Sequence, residues 1–152
     1  MADTLLLLDI DGVCSPLPPE VPGTYAFRGQ ALDYGVSPHV VEFLREVSHR
    51  PLTKWISSWG ASSSSFEEFV GMPHIDYLIR DGIYDKSQAV KLWVEGNSFA
   101  GPILIADDDD MWPAELRKMV DNKIVHVCPE DHVGLTRQDI AFIEEQISRD
   151  IA

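Results

Sequence analysis

Short apolar runs alternate with helix-like patterns along most of this chain. Five of the runs have the length of a strand: residues 4–9, 52–57, 75–79, 102–106 and 123–127. Between them, apolar residues recur at the spacing of one helix face. Strands that alternate with helices are typical of βαβ units, whose strands lie parallel in one sheet. The pattern therefore predicts a three-layer α/β sandwich with a Rossmann-like parallel sheet, in which residues 75–79 form an edge strand.

Start and stop signals delimit the predicted helices. Ser37 and Pro38 suit the N-cap and the first position of one helix. Ser65 and Glu68 have the spacing of a capping box for a short helix that ends near Gly71. Further helices are predicted over residues 86–94 and 112–120, and from a capping box at Thr136 and Asp139 onward.

One insertion separates the first strand from the first helix, over residues 14–35. Residues 16–23 are rich in proline and cannot form a helix. Residues 25–27 and 31–34 have the pattern of a small hairpin, which we expect to form a flap above the strand tips. The rest of the chain leaves no boundary between domains, so residues 1–152 are predicted to be one domain.

Charge and cysteine content narrow the class of protein. The formal net charge is −13, which argues against broad adhesion to nucleic acid or to an anionic membrane. The first apolar run lacks a basic leader, so we predict no signal peptide and a cytoplasmic location. Cys14 and Cys128 are then expected to be free thiols, and no paired Cys/His spacing indicates zinc.

Two carboxylates follow the first apolar run directly. Asp9 and Asp11 are separated by one residue, and Gly12 then allows a sharp turn. Both acids are therefore expected at the carboxyl end of a buried strand, where open α/β sheets bind their ligands. Acids at the tip of an apolar strand suit a site for a hard metal ion and phosphate better than they suit packing.

Other polar residues occupy the corresponding positions after later strands. Ser57 and Ser58 follow the second strand, and Lys86 opens a helix. Asp107 and Asp108 follow the fourth strand. The order along the chain is thus acid pair, hydroxyl, lysine and acid pair.

This order resembles the phosphatases of the haloacid dehalogenase superfamily, over residues 5–127. The first motif, from Asp9 to Val13, is its most specific part. The Trp55–Trp59 segment and residues 134–136 also look like those of a small bacterial and phage group in that superfamily. The resemblance implies the strand order 5-4-1-2-3, counted along the five predicted strands, with right-handed crossovers.

The resemblance also implies a role for each motif residue. Asp9 would be the nucleophile that forms an aspartyl-phosphate, and Asp11 would be the general acid and base. Ser57 would hydrogen-bond a phosphoryl oxygen. Lys86 would balance negative charge during the transfer. Ser58 and Gly12 would help to bind the substrate.

A magnesium ion completes the implied site. Asp107 and Asp108 would hold Mg²⁺ together with Asp9 and the backbone carbonyl of Asp11. The acidic run continues through residues 109–110, so those acids remain alternative ligands. Lys91 likewise remains an alternative to Lys86.

Several functions remain open at this stage. An acid at position 11 favours a phosphatase over a dehalogenase, since a halide leaves without a proton. The segments 14–35 and 58–86 are too short for a large cap domain, so we expect an open site that suits a phosphorylated nucleic-acid end or protein. The alternatives are a phosphotransferase or nucleotidase with a small substrate, and a non-catalytic module that binds a metal or a partner. A response-regulator receiver is disfavoured, because its phosphorylated acid follows a middle strand.

A few side chains near the strand tips have weaker signals. Trp59 and Trp112 follow strand ends, where they could border the pocket or cover the core. Arg28, in the predicted flap, could contact a substrate phosphate. The five histidines show no ligand spacing, and Cys14 has no histidine partner that would activate it.

Overall fold

The structure is a computed structural model that describes residues 3–15, 25–29, 32–80, 82–83, 85–131 and 133–148. The strands are β1 (Leu5–Leu8), β2 (Tyr25–Gly29), β3 (Leu32–Val36), β4 (Thr53–Trp55), β5 (Ile103–Ala106) and β6 (Ile124–Val127). The helices are α1 (Pro38–Val47), α2 (Ser63–Val70), α3 (Lys86–Gly96), α4 (Met111–Leu116) and α5 (Arg137–Ser148). The prediction for residues 16–23 lies outside the described residues.

β1 is a central strand of a parallel sheet with the order β4-β1-β5-β6. Leu8 of β1 pairs with Trp55 on one side and with Ala106 on the other. The order of the chain reverses between β1 and β5, because β4 lies on one side of β1 and β5 on the other. The carboxyl ends of strands at such a reversal form the usual ligand crevice of an open α/β sheet.

Helices cover both faces of this sheet, as the three-layer prediction requires. Leu6 and Leu8 pack on one face with apolar residues of α1, α2 and α5. Leu5 and Leu7 pack on the other face with residues of α3 and α4. All four leucines are fully buried, which explains why β1 is a continuous apolar run rather than an alternating one.

Residues 75–79 lie beside β4, at the predicted edge of the sheet, but they do not form a regular strand. This segment makes one parallel bridge, between Trp55 and Tyr77. Two ladder-type hydrogen bonds join it to β4: the Trp55 amide donates to the Asp76 carbonyl at 2.8 Å, and the Leu78 amide donates to the Trp55 carbonyl at 3.0 Å. The amides of Ile75 and Tyr77 donate to side-chain carboxylates, of Glu67 at 2.8 Å and of Asp76 at 3.0 Å. The parallel sheet of the described residues has four strands, which neighbour one another as predicted for strands 5, 4, 1 and 2. The full five-strand order 5-4-1-2-3 is not confirmed, because residues 75–79 contribute a single bridge.

The remaining boundaries divide between confirmed and corrected predictions. The capping box at Ser65 and Glu68 is wrong, because α2 already begins at Ser63 after a 3-10 turn over Gly60–Ser62. The stop at Gly71 is confirmed by its left-handed φ of 75°.

The capping box at Thr136 is confirmed. The Thr136 amide donates to Asp139 at 3.0 Å, and the Asp139 amide donates to the Thr136 hydroxyl at 3.1 Å. β2 and β3 form the predicted antiparallel hairpin, and both cysteines are free thiols. Among the described residues, none of the helices has the length and hydropathy needed to cross a membrane.

Candidate functional site

The pairing of β1 with β5 brings two acids together. Leu8 and Ala106 are register partners, so Asp9 and Asp107 emerge side by side at the carboxyl ends of their strands. The Asp9 amide continues the ladder by donating to the carbonyl of Ala106 at 3.0 Å. Asp108 follows at once, and one carboxylate oxygen from each of the three acids lies within 4.8 Å of the other two.

Lys86 reaches this cluster from the first turn of α3. Its Nζ lies 2.7 Å from Asp107 Oδ2 and 3.3 Å from Asp9 Oδ2. A cation at a helix N-terminus is unfavourable by itself, and here the two carboxylates compensate for it. Asp85 caps the same helix by accepting from the Ser87 amide at 3.0 Å. The predicted alternative Lys91 instead pairs with Glu95 on the same helix, at 3.1 Å.

The single positive charge of Lys86 does not balance the negative charge of the carboxylates around it. Burial raises the pKa of Asp9 from 3.8 to about 7, against the opposing attraction of Lys86, and the nearby charge of Asp107 raises it further. Burial and the charge of Asp107 also raise the pKa of Asp108. Burial lowers the pKa of Lys86, but attraction to Asp9 and Asp107 outweighs it and the net pKa is raised. One ammonium group therefore faces three carboxylates, and a divalent cation would relieve the excess charge.

Asp107 is held rigidly by its neighbours. It is fully buried, and its Oδ2 accepts from the indole Nε1 of Trp112 at 2.9 Å as well as from Lys86. Its Oδ1 accepts from the amide of Asp109 at 2.9 Å, and its carbonyl oxygen lies 2.8 Å from His126 Nε2. The contacts to its two carboxylate oxygens hold the Asp107 side chain in one orientation.

The acids at positions 109 and 110 serve the start of α4. Asp109 Oδ1 accepts from the amide of Met111 at 2.8 Å, and Asp110 occupies the N-cap position. Both residues are exposed. Among the described residues, the group of acids that could hold a metal ion contains Asp107 and Asp108 but not these two.

Gly12 is required by the close approach of two loops. Its φ is +76°, and a Cβ atom placed on it would lie 2.6 Å from Asp108 Oδ2. A side chain at this position would therefore displace an acid of the cluster. This is a spatial role, whereas the predicted contact of Gly12 with substrate stays a prediction.

Asp11 lies beside the cluster rather than within it. Its Oδ2 accepts a hydrogen bond from Trp59 Nε1 at 3.2 Å. Its Oδ1 is buried and has no hydrogen-bond partner among the residues that the structure describes. The predicted ligation of a metal through the Asp11 carbonyl stays a prediction.

The two serines after β4 have different environments. Ser57 is fully buried, and its Oγ accepts from the Trp59 amide at 3.1 Å. A hydroxyl that accepts one hydrogen bond still has its own proton to donate. Ser58 is exposed and lines a cavity of about 480 Å³ together with Trp59, Tyr77 and Arg80.

Sequence reasoning missed the hydrogen bonds of the two tryptophans and of His126. Trp59 and Trp112 were considered only as walls of a pocket or cover for the core. Their position after strand tips was the available signal, because a buried indole N–H usually needs an acceptor and the acids lie nearby. The prediction for Arg28 concerns a side chain outside the described part of the chain.

Comparisons of this chain with protein-family models, with curated proteins and with solved structures each found no match.

Proposed function

We propose that this protein is a Mg²⁺-dependent phosphomonoester hydrolase that works through an aspartyl-phosphate, as its resemblance to the haloacid dehalogenase superfamily implies. The observation that supports this most strongly is the convergence of Asp9, Asp107 and Asp108 with the ammonium group of Lys86. These groups come from three separate segments of the chain. Asp9 and Asp107 are buried and Asp108 is partly buried, and the single charge of Lys86 does not balance three carboxylates, so a bound cation would lower the cost of placing them together.

The donor set fits magnesium. Carboxylate oxygens are the ligands that Mg²⁺ prefers, and few protein ligands suffice because the ion keeps several waters. Asp9, Asp107 and Asp108 would hold the ion, with the carbonyl of Asp11 as the further ligand. The bound ion would supply positive charge between the Asp9 carboxylate and the phosphate, which otherwise repel each other.

The first step transfers the phosphoryl group to Asp9. A carboxylate oxygen of Asp9 forms a bond to phosphorus while the bond from phosphorus to the leaving oxygen breaks. The leaving oxygen takes the proton of the Asp11 carboxyl group and departs as an alcohol. Asp11 is left as a carboxylate and Asp9 as an acyl phosphate.

The second step restores the protein. Asp11 takes a proton from water, and the water oxygen forms a bond to phosphorus. The bond between phosphorus and Asp9 breaks, so inorganic phosphate leaves and Asp9 is again a carboxylate. The Ser57 hydroxyl donates to a phosphoryl oxygen, and Lys86 balances the charge in both steps. Substrates with a large leaving group, including phosphorylated macromolecules, are the class that an open site admits.

The experiment that tests this proposal is hydrolysis of para-nitrophenyl phosphate with Mg²⁺ or with EDTA. We expect turnover with Mg²⁺, none with EDTA, and loss of at least about 10³-fold in Asp9→Asn, because the nucleophile is removed. Asp109→Asn is the matched control: it makes the same change at an exposed acid outside the cluster, and it should retain activity.

Trapping identifies the nucleophile directly. Beryllium fluoride is expected to bind at Asp9 in the wild-type protein and not in Asp9→Asn. Turnover that survives in Asp9→Asn refutes the nucleophile. Binding of Mg²⁺ without turnover of any phosphomonoester in a broad panel would favour the alternative function, a module that binds metal without catalysis.

A further inference from the structure

Among the described residues, Trp59 is the only one that donates a hydrogen bond to the Asp11 side chain. The indole Nε1 donates to Oδ2 at 3.2 Å, while Oδ1 is buried with no partner in the part of the chain that the structure describes. A carboxylate normally accepts several hydrogen bonds when it is removed from water. The orientation of Asp11 therefore depends on one contact, across 48 positions of sequence.

Trp59 is itself held through its backbone and through its ring. Its backbone amide donates to Ser57 Oγ at 3.1 Å, which ties it to the end of β4. Its ring meets Phe66 of α2 edge to face, with 6.2 Å between the ring centroids. Trp59 thus connects Asp11, which follows β1, to the end of β4 and to α2.

We propose that Trp59 is a positioning residue for Asp11, which holds its carboxyl group in place for proton transfer to the leaving oxygen. This inference rests on the function proposed above. An indole N–H donates and does not accept, so the contact orients the carboxyl group without taking its proton. Trp59 acts through Asp11 and requires no contact of its own with the substrate.

The chemical consequence is a selective defect. Cleavage of an ester with a poor leaving group needs a proton on the leaving oxygen, whereas a strongly activated leaving group departs as an anion with little help. Disorientation of Asp11 should therefore slow the first kind of substrate and spare the second. A general structural defect would slow both.

The test compares kcat/KM of Trp59→Phe for phenyl phosphate and for 2,4-dinitrophenyl phosphate. We expect a loss of about tenfold or more with phenyl phosphate, a part of the 10²–10⁴ that general acids contribute. With dinitrophenyl phosphate we expect a change below about threefold. In an Asp11→Ala background, Trp59→Phe should cause no further loss, because the two residues act as one unit.

Trp112→Phe is the matched control, since Trp112 makes the same kind of contact with Asp107. It should reduce kcat/KM for both substrates equally and raise the Mg²⁺ concentration that half-maximal activity requires. Trp93→Phe changes a tryptophan that packs on Phe99, and it should leave both rates unchanged. Equal losses on the two substrates in Trp59→Phe would overturn the inference.

A second measurement does not depend on turnover or on the folding of Trp59→Phe. The indole N–H resonance of Trp59 should shift in Asp11→Ala, while that of Trp93 stays in place. An unmoved Trp59 resonance would overturn the inference by showing that the hydrogen bond is not formed. Failure of the proposed function looks different: the wild-type protein would hydrolyse neither ester, or Asp9→Asn would hydrolyse both.

Discussion

Replacement of Asp9 by asparagine should stabilise the protein when no metal is present. Asp9 is 6% exposed, and burial raises its pKa from 3.8 to about 7. The folded protein therefore binds the Asp9 proton more tightly than the unfolded chain does. Its stability falls as the pH rises from about 4 to about 7, and the full penalty is present above pH 7.

The size of the penalty follows from the two pKa values. A rise from 3.8 to about 7 corresponds to about 4 kcal/mol of folding free energy. Asparagine has nearly the same shape and no charge, so Asp9→Asn removes this penalty. In EDTA at pH 8 we expect the variant to unfold roughly 8–16 °C higher than the wild-type protein, from about 2–4 °C per kcal/mol for a chain of this size.

The assay is thermal unfolding of both proteins in EDTA from pH 4 to pH 8, followed by a titration with Mg²⁺ at pH 8. The gap between the two proteins should become small toward pH 4, where Asp9 is protonated in the folded protein and about half protonated in the unfolded chain, so little of the penalty remains. Mg²⁺ should stabilise the wild-type protein by about 2.7 kcal/mol at a hundred times its Kd, which raises its Tm, and it should stabilise the variant far less. Asp109→Asn should show neither effect.

Two outcomes would refute this reasoning. One is an Asp9→Asn variant that is no more stable than the wild-type protein at pH 8 in EDTA. The other is a gap that does not change between pH 4 and pH 8, since an effect of charge must follow the ionisation of Asp9.

Two other substitutions test the geometry around the cluster. Gly12→Ala should weaken Mg²⁺ binding at least about tenfold in isothermal titration, because the new Cβ would lie 2.6 Å from Asp108 Oδ2. Gly82→Ala is the control, since Gly82 has a similar φ of +85° and a Cβ there would meet nothing within 4 Å. It should share only the backbone strain of about 1–2 kcal/mol and keep its Mg²⁺ affinity. Glu67→Ala should lower the free energy of unfolding, measured in urea, by about 2–5 kcal/mol, because Trp55 Nε1 and the Ile75 amide lose their buried acceptor. Glu67→Gln should lose less stability, and equal losses in the two variants would contradict the role of this carboxylate.

The acids that follow β1 and β5 could be located from the sequence. β1 is apolar and buried on both faces, and a parallel strand in that position must end where Asp9 begins. The start of α1 at Pro38 and the capping box at Thr136 are also local signals, because a helix terminus is satisfied by residues within one turn of it. Local patterns of this kind predicted the sheet as parallel and Asp9 and Asp107 at the carboxyl ends of its strands, whereas the place of Lys86 beside them was predicted from the family resemblance.

The tertiary structure decided which of the candidates meet. Lys86, in the first turn of α3, reaches Asp9 and Asp107, whereas Lys91 pairs with Glu95. Asp108 joins the acid cluster, whereas the next two acids lie at the start of α4. The tertiary structure also reduced the predicted edge strand to a single parallel bridge beside β4, and it placed the carboxylate of Glu67, on α2, as the acceptor for the Ile75 amide. Nothing in the sequence around residue 75 reveals that acceptor.

The hydrogen bond from Trp59 to Asp11 illustrates the general reason. Periodicity and capping depend on neighbours within a few residues, so they can be read along the chain. The partner of a buried indole or carboxylate is instead set by which strands and helices pack together. That choice is made between residues far apart in sequence, and it becomes visible only when the sheet and its helices are assembled.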